Sequence, residues 1–210
     1  MNLSIEQDKS IIAFAMIVDI NSFTKIVELS ERKGFAVSNF ISDLLSSSIN
    51  TVEKSGGLVV AFMGDAFLAI LESADQVSEA CIGIAVHVDK VNDYFNSEPN
   101  FFPVPQKGFK LKIGIEYGVI DISEIQSNFL GKQKLFIGSP INYASRITKG
   151  GNKSYNRCLF GPKSLAAGLN HWPHKGPFQI NGKKGEGKYE YYILDLDDVW
   201  RNHPTETSWR

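Results

Sequence analysis

Two aspartates occupy positions from which their carboxylates could bind a metal ion. Asp19 ends a continuous apolar run, and Asp65 follows Gly64 at the tip of a predicted hairpin. If the two strands are neighbours in one sheet, both carboxylates lie at the same end of it, where oxygen ligands could hold Mg²⁺ or Mn²⁺ beside a triphosphate. Each aspartate also has a structural explanation, because aspartate is common in turns and Gly-Asp is itself a turn signal.

The segment that follows Asp19 could bind phosphate. The turn Ile20-Asn21-Ser22-Phe23-Thr24 opens a predicted helix, and Asn21-Ser22 is its expected cap. The first N–H groups of a helix have no acceptor within the helix and point outwards. They could therefore hold the β- and γ-phosphates of a nucleotide.

Strands and helices that alternate along the chain must position these residues. Residues 11–19 form a run that is apolar up to its last residue, Asp19, as expected of a central strand buried on both faces. Helices are predicted up to residue 31, over 35–54 and over 74–94. The other predicted elements are a hairpin of 57–63 and 66–71, a loop over 96–108, a strand over 109–122, a loop and helix over 138–148, a strand over 158–160, a short helix over 162–168 and a hairpin over 178–194. This order predicts an α+β sandwich in which helices cover a mostly antiparallel sheet.

Composition and charge argue against several classes of protein. The chain has 210 residues and a net charge of −1, which does not favour a nucleic-acid-binding protein or a polybasic membrane anchor. The polar segment 1–10 does not resemble a signal peptide, and the apolar run 11–18 is too short to span a membrane. Cys81 and Cys158 lack metal-ligand spacing, so we expect them to be reduced core thiols in a cytoplasmic protein.

Five segments, in order, resemble the motifs of the class III adenylate and guanylate cyclases. They are Asp19-Ile20-Asn21-Ser22-Phe23-Thr24, Gly56-Gly57 through to Gly64-Asp65, Lys112-Ile113-Gly114-Ile115-Glu116-Tyr117-Gly118, Gly138-Ser139-Pro140-Ile141-Asn142-Tyr143-Ala144-Ser145-Arg146, and Lys184-Gly185-Glu186-Gly187. Each motif alone is short enough to occur by chance, whereas the ordered set is specific. The resemblance implies the class III cyclase sandwich over residues 1–195 and a C-terminal tail over 196–210.

The resemblance also implies roles for several residues of the first two motifs. Asp19 and Asp65, with the carbonyl of Ile20, would bind two divalent cations, Mn²⁺ or Mg²⁺. One cation would lower the pKa of the ribose 3′-hydroxyl, and the other would hold the triphosphate and the leaving pyrophosphate. Phe23 and Thr24 would contact the nucleotide at the start of the helix.

The last two motifs would supply the groups that act on the nucleotide from the other side. By the same resemblance, Asn142 would orient the ribose, Arg146 would stabilise charge on the α-phosphate, and Lys184 would contact the phosphates. A surface ion pair for Arg146 and a solvated hairpin lysine for Lys184 are the ordinary structural explanations. In this family the metal ligands and the Asn/Arg pair come from different subunits. A chain that carries both sets is therefore expected to form a head-to-tail homodimer with two equivalent sites.

Two positions that read the base in this family hold apolar residues. Adenylate cyclases commonly have Lys and Asp there, and guanylate cyclases usually have Glu and Cys, whereas this chain has Ala61 and Leu135. Neither side chain can make the hydrogen bonds that distinguish purines. The pattern resembles the bacterial pyrimidine cyclases of anti-phage (Pycsar) defence, whose product, cyclic UMP or cyclic CMP, activates a separate effector protein. We therefore expect a uridylate or cytidylate cyclase, with UTP preferred over CTP.

Two other functions remain open. An atypical adenylate cyclase could read adenine with other groups. Alternatively, an inactive cyclase-like domain could serve only to bind nucleotide or to dimerise. The presence of both aspartates, of Asn142 and Arg146, and of Lys184 argues against the inactive domain.

Overall fold

A mixed sheet with helices on both faces forms the protein. The structure is a computed structural model that describes residues 9–34, 37–97, 108–129, 131–150 and 157–196. Within these residues the elements are β1 (Lys9–Ile20), α1 (Phe23–Lys33), α2 (Val37–Lys54), β2 (Leu58–Phe62), β3 (Ala66–Leu71), α3 (Ala74–Ser97), β4 (Leu111–Ser127), β5 (Gly131–Ile137), α4 (Ser139–Ile147), β6 (Arg157–Phe160), α5 (Pro162–Ala166), a 3₁₀ turn (Leu169–His171), β7 (Lys175–Asn181) and β8 (Lys188–Asp195).

The strand order places β1 near the middle of the sheet. The order is β2-β3-β1-β4-β6-β8-β7, and β5 pairs with the outer part of β4. Neighbouring strands are antiparallel except β4 and β6, which are parallel. The α+β sandwich with a mostly antiparallel sheet is therefore confirmed.

Alternate residues of β1 face two different layers of helices. Phe14, Met16 and Val18 belong to the main core, which contains buried side chains of α1, α2 and α3. Their neighbours Ala13, Ala15 and Ile17 face a smaller core that contains Ala144 of α4. This burial on both faces explains why the strand is continuously apolar rather than alternating.

Helix α4 packs directly on the backbone of β4. A Cβ atom added to Gly114 would lie 2.4 Å from the carbonyl oxygen of Ala144 and 2.5 Å from the Thr148 side chain. Glycine at this position therefore fixes how closely α4 approaches the sheet. That distance matters because α4 carries Asn142 and Arg146.

Most predicted elements are present, with three differences. The β2–β3 hairpin forms as predicted, with Gly64 at φ +70°. Strand β4 continues to Ser127 and pairs with β5, which was not predicted. Ser22 occupies the predicted cap position of α1 at φ 62°, but its side chain makes no hydrogen bond to the helix. The predicted capping interaction is therefore wrong. Most of the predicted loop over 96–108 and nearly all of the tail over 196–210 lie outside the described residues.

Within the described ranges, no helix combines the length and apolar character that crossing a bilayer requires.

Candidate functional site

Strands β1 and β3 bring the carboxyl groups of Asp19 and Asp65 together. In the antiparallel register Asp19 lies opposite Ala66, and the N–H of Ile20 donates to the carbonyl oxygen of Asp65 over 3.3 Å. Burial raises the pKa of Asp65, and the negative charge of Asp19 and a hydrogen bond with its carboxyl group raise it further. Two partly buried carboxylates therefore converge at one end of the sheet.

The chemistry of this carboxylate pair, Asp19 with Asp65, fits a divalent cation. Like charges in contact raise each other's pKa, and a bound cation relieves that repulsion. Mg²⁺ and Mn²⁺ are hard ions that prefer such oxygen ligands. Among the described residues no group of three or more His, Cys, Asp or Glu side chains could hold a metal ion. An ion at the pair would therefore take further ligands from backbone, water or substrate.

A lysine that sequence reasoning did not single out lies beside the carboxylate pair. Lys112 is opposite Asp19 in the β1–β4 register, and its Nζ atom is 2.8 Å from Asp19 Oδ2. Both side chains are mostly buried. Arg157 lies opposite Lys112 on β6 and is buried, which lowers its pKa, although the nearby Asp19 charge partly offsets this effect. The end of the sheet thus combines two acidic and two basic side chains.

The start of α1 presents unpaired N–H groups next to the carboxylate pair. The carbonyl oxygen of Ser22 accepts hydrogen bonds from the N–H groups of Lys25 and Ile26. In the described part of the chain, the N–H groups of Phe23 and Thr24 donate to no acceptor. The Phe23 ring packs against the main core, whereas Thr24 is exposed. This arrangement suits an anion, since helix N-termini attract negative charge.

Helix α4 holds Asn142 and Arg146 one turn apart, so both side chains lie on the same face. Asn142 is exposed. Arg146 makes a bidentate ion pair with Glu186, with Nε donating to Oε2 over 2.8 Å and Nη2 donating to Oε1 over 2.7 Å. This pairing raises the pKa of Arg146 and lowers the pKa of Glu186 to about 2.

Glu186 and Lys184 share the turn between β7 and β8. The turn is closed by hydrogen bonds from the N–H of Gly182 to the carbonyl of Gly187 over 2.9 Å and from the N–H of Glu186 to the carbonyl of Lys183 over 2.8 Å. Lys184 is exposed on it. The turn therefore lies against α4 and presents a lysine to solvent close to Arg146.

The carboxylate pair and Arg146 lie in different places within one chain, because Asp19 is level with Asp195 at the far end of β8, whereas Glu186, the partner of Arg146, lies in the turn before the start of β8. The charged side chains that shift the pKa of Asp65 are Asp19 and Lys112. The side chains that shift the pKa of Arg146 are Glu186 and Tyr189. The predicted site residues therefore form two spatially separate groups.

A comparison with known protein families identifies the family of this chain. The profile of the adenylate and guanylate cyclase catalytic domain matches residues 6–195, nearly the whole chain. The chain belongs to this cyclase family.

Individual relatives of this cyclase domain are distant. An adenylate cyclase of Anabaena cylindrica is 25% identical over 155 residues, which cover 72% of this chain but only 30% of that protein. The adenylyl cyclase CyaB of P. aeruginosa has the same fold, with a TM-score of 0.72 at 16% identity over 90% of this chain and 97% of the other. The guanylyl cyclase Cya2 gives the same TM-score and identity over 90% of this chain and 93% of the other.

The two positions to which the sequence resemblance assigns base reading lie on different strands. Ala61 is on β2, directly after a register shift, and packs against the core under α4. Leu135 is on β5 opposite Ser123 and is 37% exposed. Neither side chain carries a hydrogen-bonding atom, as the sequence showed.

Proposed function

We propose that this cyclase domain converts a nucleoside triphosphate to its 3′,5′-cyclic monophosphate and pyrophosphate. The observation that carries the proposal is the contact between the carboxyl groups of Asp19 and Asp65 beside the unpaired N–H groups of α1. A carboxylate pair next to an anion-binding helix terminus suits a metal–triphosphate complex. Family membership makes cyclisation the reaction that such a complex would undergo.

The reaction forms one phosphorus–oxygen bond and breaks another. The ribose 3′-oxygen bonds to the α-phosphorus, its proton passes to solvent, and pyrophosphate leaves with the electrons of the broken bond. Divalent cations held by Asp19, Asp65 and the Ile20 carbonyl would lower the pKa of the 3′-hydroxyl and offset the triphosphate charge. The N–H groups of Phe23 and Thr24 would hold the terminal phosphates.

Residues of α4 and the β7–β8 turn would complete the site. Arg146 would donate hydrogen bonds to the α-phosphate oxygens as their charge grows in the transition state. Asn142 would hold the ribose so that its 3′-oxygen points at phosphorus. Lys184, exposed on its turn, would contact the phosphates.

A head-to-tail homodimer would bring the two groups of residues together. Within one chain the carboxylate pair lies level with the far end of β8, whereas the partner of Arg146, Glu186, lies in the turn before the start of β8. The arm formed by β5 and the outer part of β4 carries several exposed apolar side chains on one face. They are Val119, Ile125, Leu135 and Ile137, with Ile12 beside them on β1. An exposed apolar patch of this kind is typical of an interface, and a second copy is the partner that supplies the missing half of each site.

The substrate we propose is a pyrimidine nucleotide, UTP or CTP, with UTP preferred. Ala61 and Leu135 leave the purine-reading positions without a donor or acceptor, so purines would gain no specific hydrogen bonds there. The resemblance to Pycsar cyclases extends this to a role in cytoplasmic anti-phage defence, in which cyclic UMP or cyclic CMP activates a separate effector protein.

Product analysis tests both levels of this proposal. The purified protein is incubated with ATP, GTP, CTP or UTP and with Mn²⁺ or Mg²⁺, and the products are identified by mass spectrometry. Cyclic UMP or cyclic CMP as the main product is expected. The absence of a cyclic product from all four nucleotides would contradict a cyclase and favour the inactive domain.

An atypical adenylate cyclase is the second candidate. The curated relative from Anabaena cylindrica is an adenylate cyclase, although the chain covers less than a third of that protein. Cyclic AMP as the dominant product of the same assay would establish this alternative and refute the pyrimidine assignment.

A further inference from the structure

The carboxylate of Glu186 is held by more groups than a simple surface ion pair provides. Besides the two N–H groups of Arg146, it accepts hydrogen bonds from the N–H of Lys183 over 2.9 Å and from the hydroxyl of Tyr189 over 3.3 Å. Lys183 and Tyr189 belong to the same β7–β8 hairpin as Glu186. The hairpin therefore holds the carboxylate of Glu186 in place, and this carboxylate in turn orients the guanidinium of Arg146.

The ion pair with Glu186 uses only two of the N–H groups of the guanidinium. A guanidinium has five N–H groups in one plane. Glu186 takes the N–H of Nε and one N–H of Nη2. The two N–H groups of Nη1 and the second of Nη2 lie on the adjoining edge of the same plane. That edge can donate two hydrogen bonds to a phosphate while the ion pair with Glu186 stays intact.

A contribution to the stability of the fold does not explain why the Arg146–Glu186 ion pair is held by so many hydrogen bonds. The Arg146 side chain is 18% and the Glu186 side chain 31% exposed, and ion pairs near the surface contribute little to the free energy of unfolding. The pKa of Glu186 is lowered to about 2, chiefly by its hydrogen bond with Arg146, so the carboxylate stays ionised at every pH at which the protein would work. What the pair does achieve is to restrict a long side chain that otherwise has many rotamers.

We propose that Glu186 is a positioning residue that holds Arg146 in the orientation needed for the α-phosphate of the nucleotide. This inference rests on the proposed cyclase function. Groups that stabilise a transition state act best when they are already oriented, because no reorganisation then accompanies the reaction. Glu186 offsets part of the positive charge of Arg146, and the gain in orientation exceeds that loss.

Kinetics of Glu186→Gln test the proposal. The glutamine keeps one oxygen for the N–H of Lys183 and the hydroxyl of Tyr189, but it cannot accept two hydrogen bonds from Arg146. We expect kcat to fall about 10- to 100-fold, as for a misplaced catalytic group, with KM changed less than about 2-fold. Glu190→Gln is the matched control, because Glu190 lies on β8 and its Oε1 accepts from Tyr192 instead. The control should keep wild-type kcat.

A double substitution separates positioning from a general effect on the hairpin. If Glu186 acts through Arg146, Glu186→Gln causes no further loss of kcat in an Arg146→Ala background. An equal additional loss in that background would overturn the proposal. A Glu186→Gln variant as fast as or faster than the wild type would also overturn it, since the ion pair would then compete with the phosphate.

A spectroscopic measurement decides the point even if the protein proves not to be a cyclase. The chain has five arginines, so the ¹⁵N–¹H signal of the Arg146 Nε group can be assigned with an Arg146→Lys variant. We expect this signal to show a rigid, slowly exchanging N–H in the wild type and a mobile one in Glu186→Gln. Equal mobility of the Arg146 N–H group in both proteins would refute the positioning role. Absence of turnover in the wild type would refute only the proposed function.

Discussion

The carboxylate pair opposes the stability of the fold. The pKa of Asp65 is raised by burial and then by the charge of Asp19, so its ionised form is disfavoured in the folded protein. Groups with such shifts are concentrated at functional sites, where activity is retained at the expense of stability. Lys112 reduces this cost through its contact with Asp19 but does not remove it.

Substitution of Asp65 by Asn should therefore separate activity from stability. The amide removes one like charge from the pair, so we expect Tm to stay the same or to rise. Turnover should fall about 100-fold or more, because the amide is a poor ligand for a cation beside a triphosphate. Tm by calorimetry and cyclic nucleotide formation measure the two effects. Asp93→Asn, an exposed substitution on α3, should change neither, and a lower Tm with retained turnover for Asp65→Asn would assign the residue to the fold.

Glu116 should give the stability of the protein a distinct pH dependence. Its side chain is buried, and Oε1 accepts hydrogen bonds from the N–H of Tyr117 over 2.8 Å and the N–H of Ser164 over 3.0 Å. Burial nevertheless raises its pKa. The folded protein therefore binds a proton more tightly than the unfolded chain, and the free energy of unfolding decreases as pH rises from 4.5, the ordinary value for glutamate, through the raised pKa.

The variant Glu116→Gln isolates this contribution. The amide oxygen can accept the same two hydrogen bonds, and the side chain no longer ionises. We expect the decrease in the free energy of unfolding over that pH range to be smaller than in the wild type, as measured by urea denaturation at several pH values. Identical pH profiles for the two proteins would show that Glu116 does not ionise on unfolding.

At the scale of elements, the sequence predicts those parts of the sheet that pack against helices. Helices cover residues 11–19 and the β2–β3 hairpin. The apolar residues of these strands therefore form a clear pattern in the sequence. The outer part of β4 and the whole of β5 form an arm away from the core. There the exposed residues Ile125 and Leu135 and the polar residues around them break the alternation, and periodicity carries no signal.

Contacts between elements that are distant in sequence could not be predicted either. Lys112 meets Asp19 only in the particular register of β1 against β4, and a shift of one residue would place it on the opposite face. Glu186 meets Arg146 across 40 positions of sequence because the β7–β8 hairpin folds back onto α4. The motif residues Asp19, Asp65, Asn142 and Arg146 could be selected from sequence, whereas their neighbours required the sheet topology.

The contact between α4 and β4 can be tested at Gly114. Alanine there would place a Cβ atom against the Ala144 carbonyl and Thr148, and α4 would have to move away from the sheet. We expect a loss of about 1–3 kcal/mol in the free energy of unfolding, together with reduced turnover, because Arg146 moves with the helix. Gly187→Ala, which would meet no atom within 4 Å, should change the free energy of unfolding by less than about 0.5 kcal/mol. Equal stability of the two variants would show that α4 adjusts freely.

At the scale of the whole molecule, the central question is whether two chains share each active site. One chain carries a carboxylate pair at one end of its sheet and, apart from it, an arginine on α4 that is paired with the β7–β8 turn. Its arm exposes apolar side chains. A dimer that joins the two halves would make activity depend on the concentration of the chain as well as on its structure.

Mixing two inactive variants tests this division. Asp65→Ala removes one half of the site and Arg146→Ala removes the other. In a shared-site dimer, a mixed pair contains one intact site. Since half of the randomly formed dimers are mixed, we expect about a quarter of the wild-type activity to return. If subunit exchange is verified and no activity returns, both residues belong to the site of a single chain.

The two thiols of the core provide a way to watch the molecule open. Cys81 of α3 and Cys158 of β6 are fully buried with their sulfur atoms 3.8 Å apart, and burial raises the pKa of Cys158. A water-soluble disulfide reagent can therefore reach them only when α3 separates from the sheet, so its reaction rate acts as a clock for cooperative opening. Because a nucleotide that binds the closed form makes opening rarer, slower labelling in its presence would report binding without any turnover.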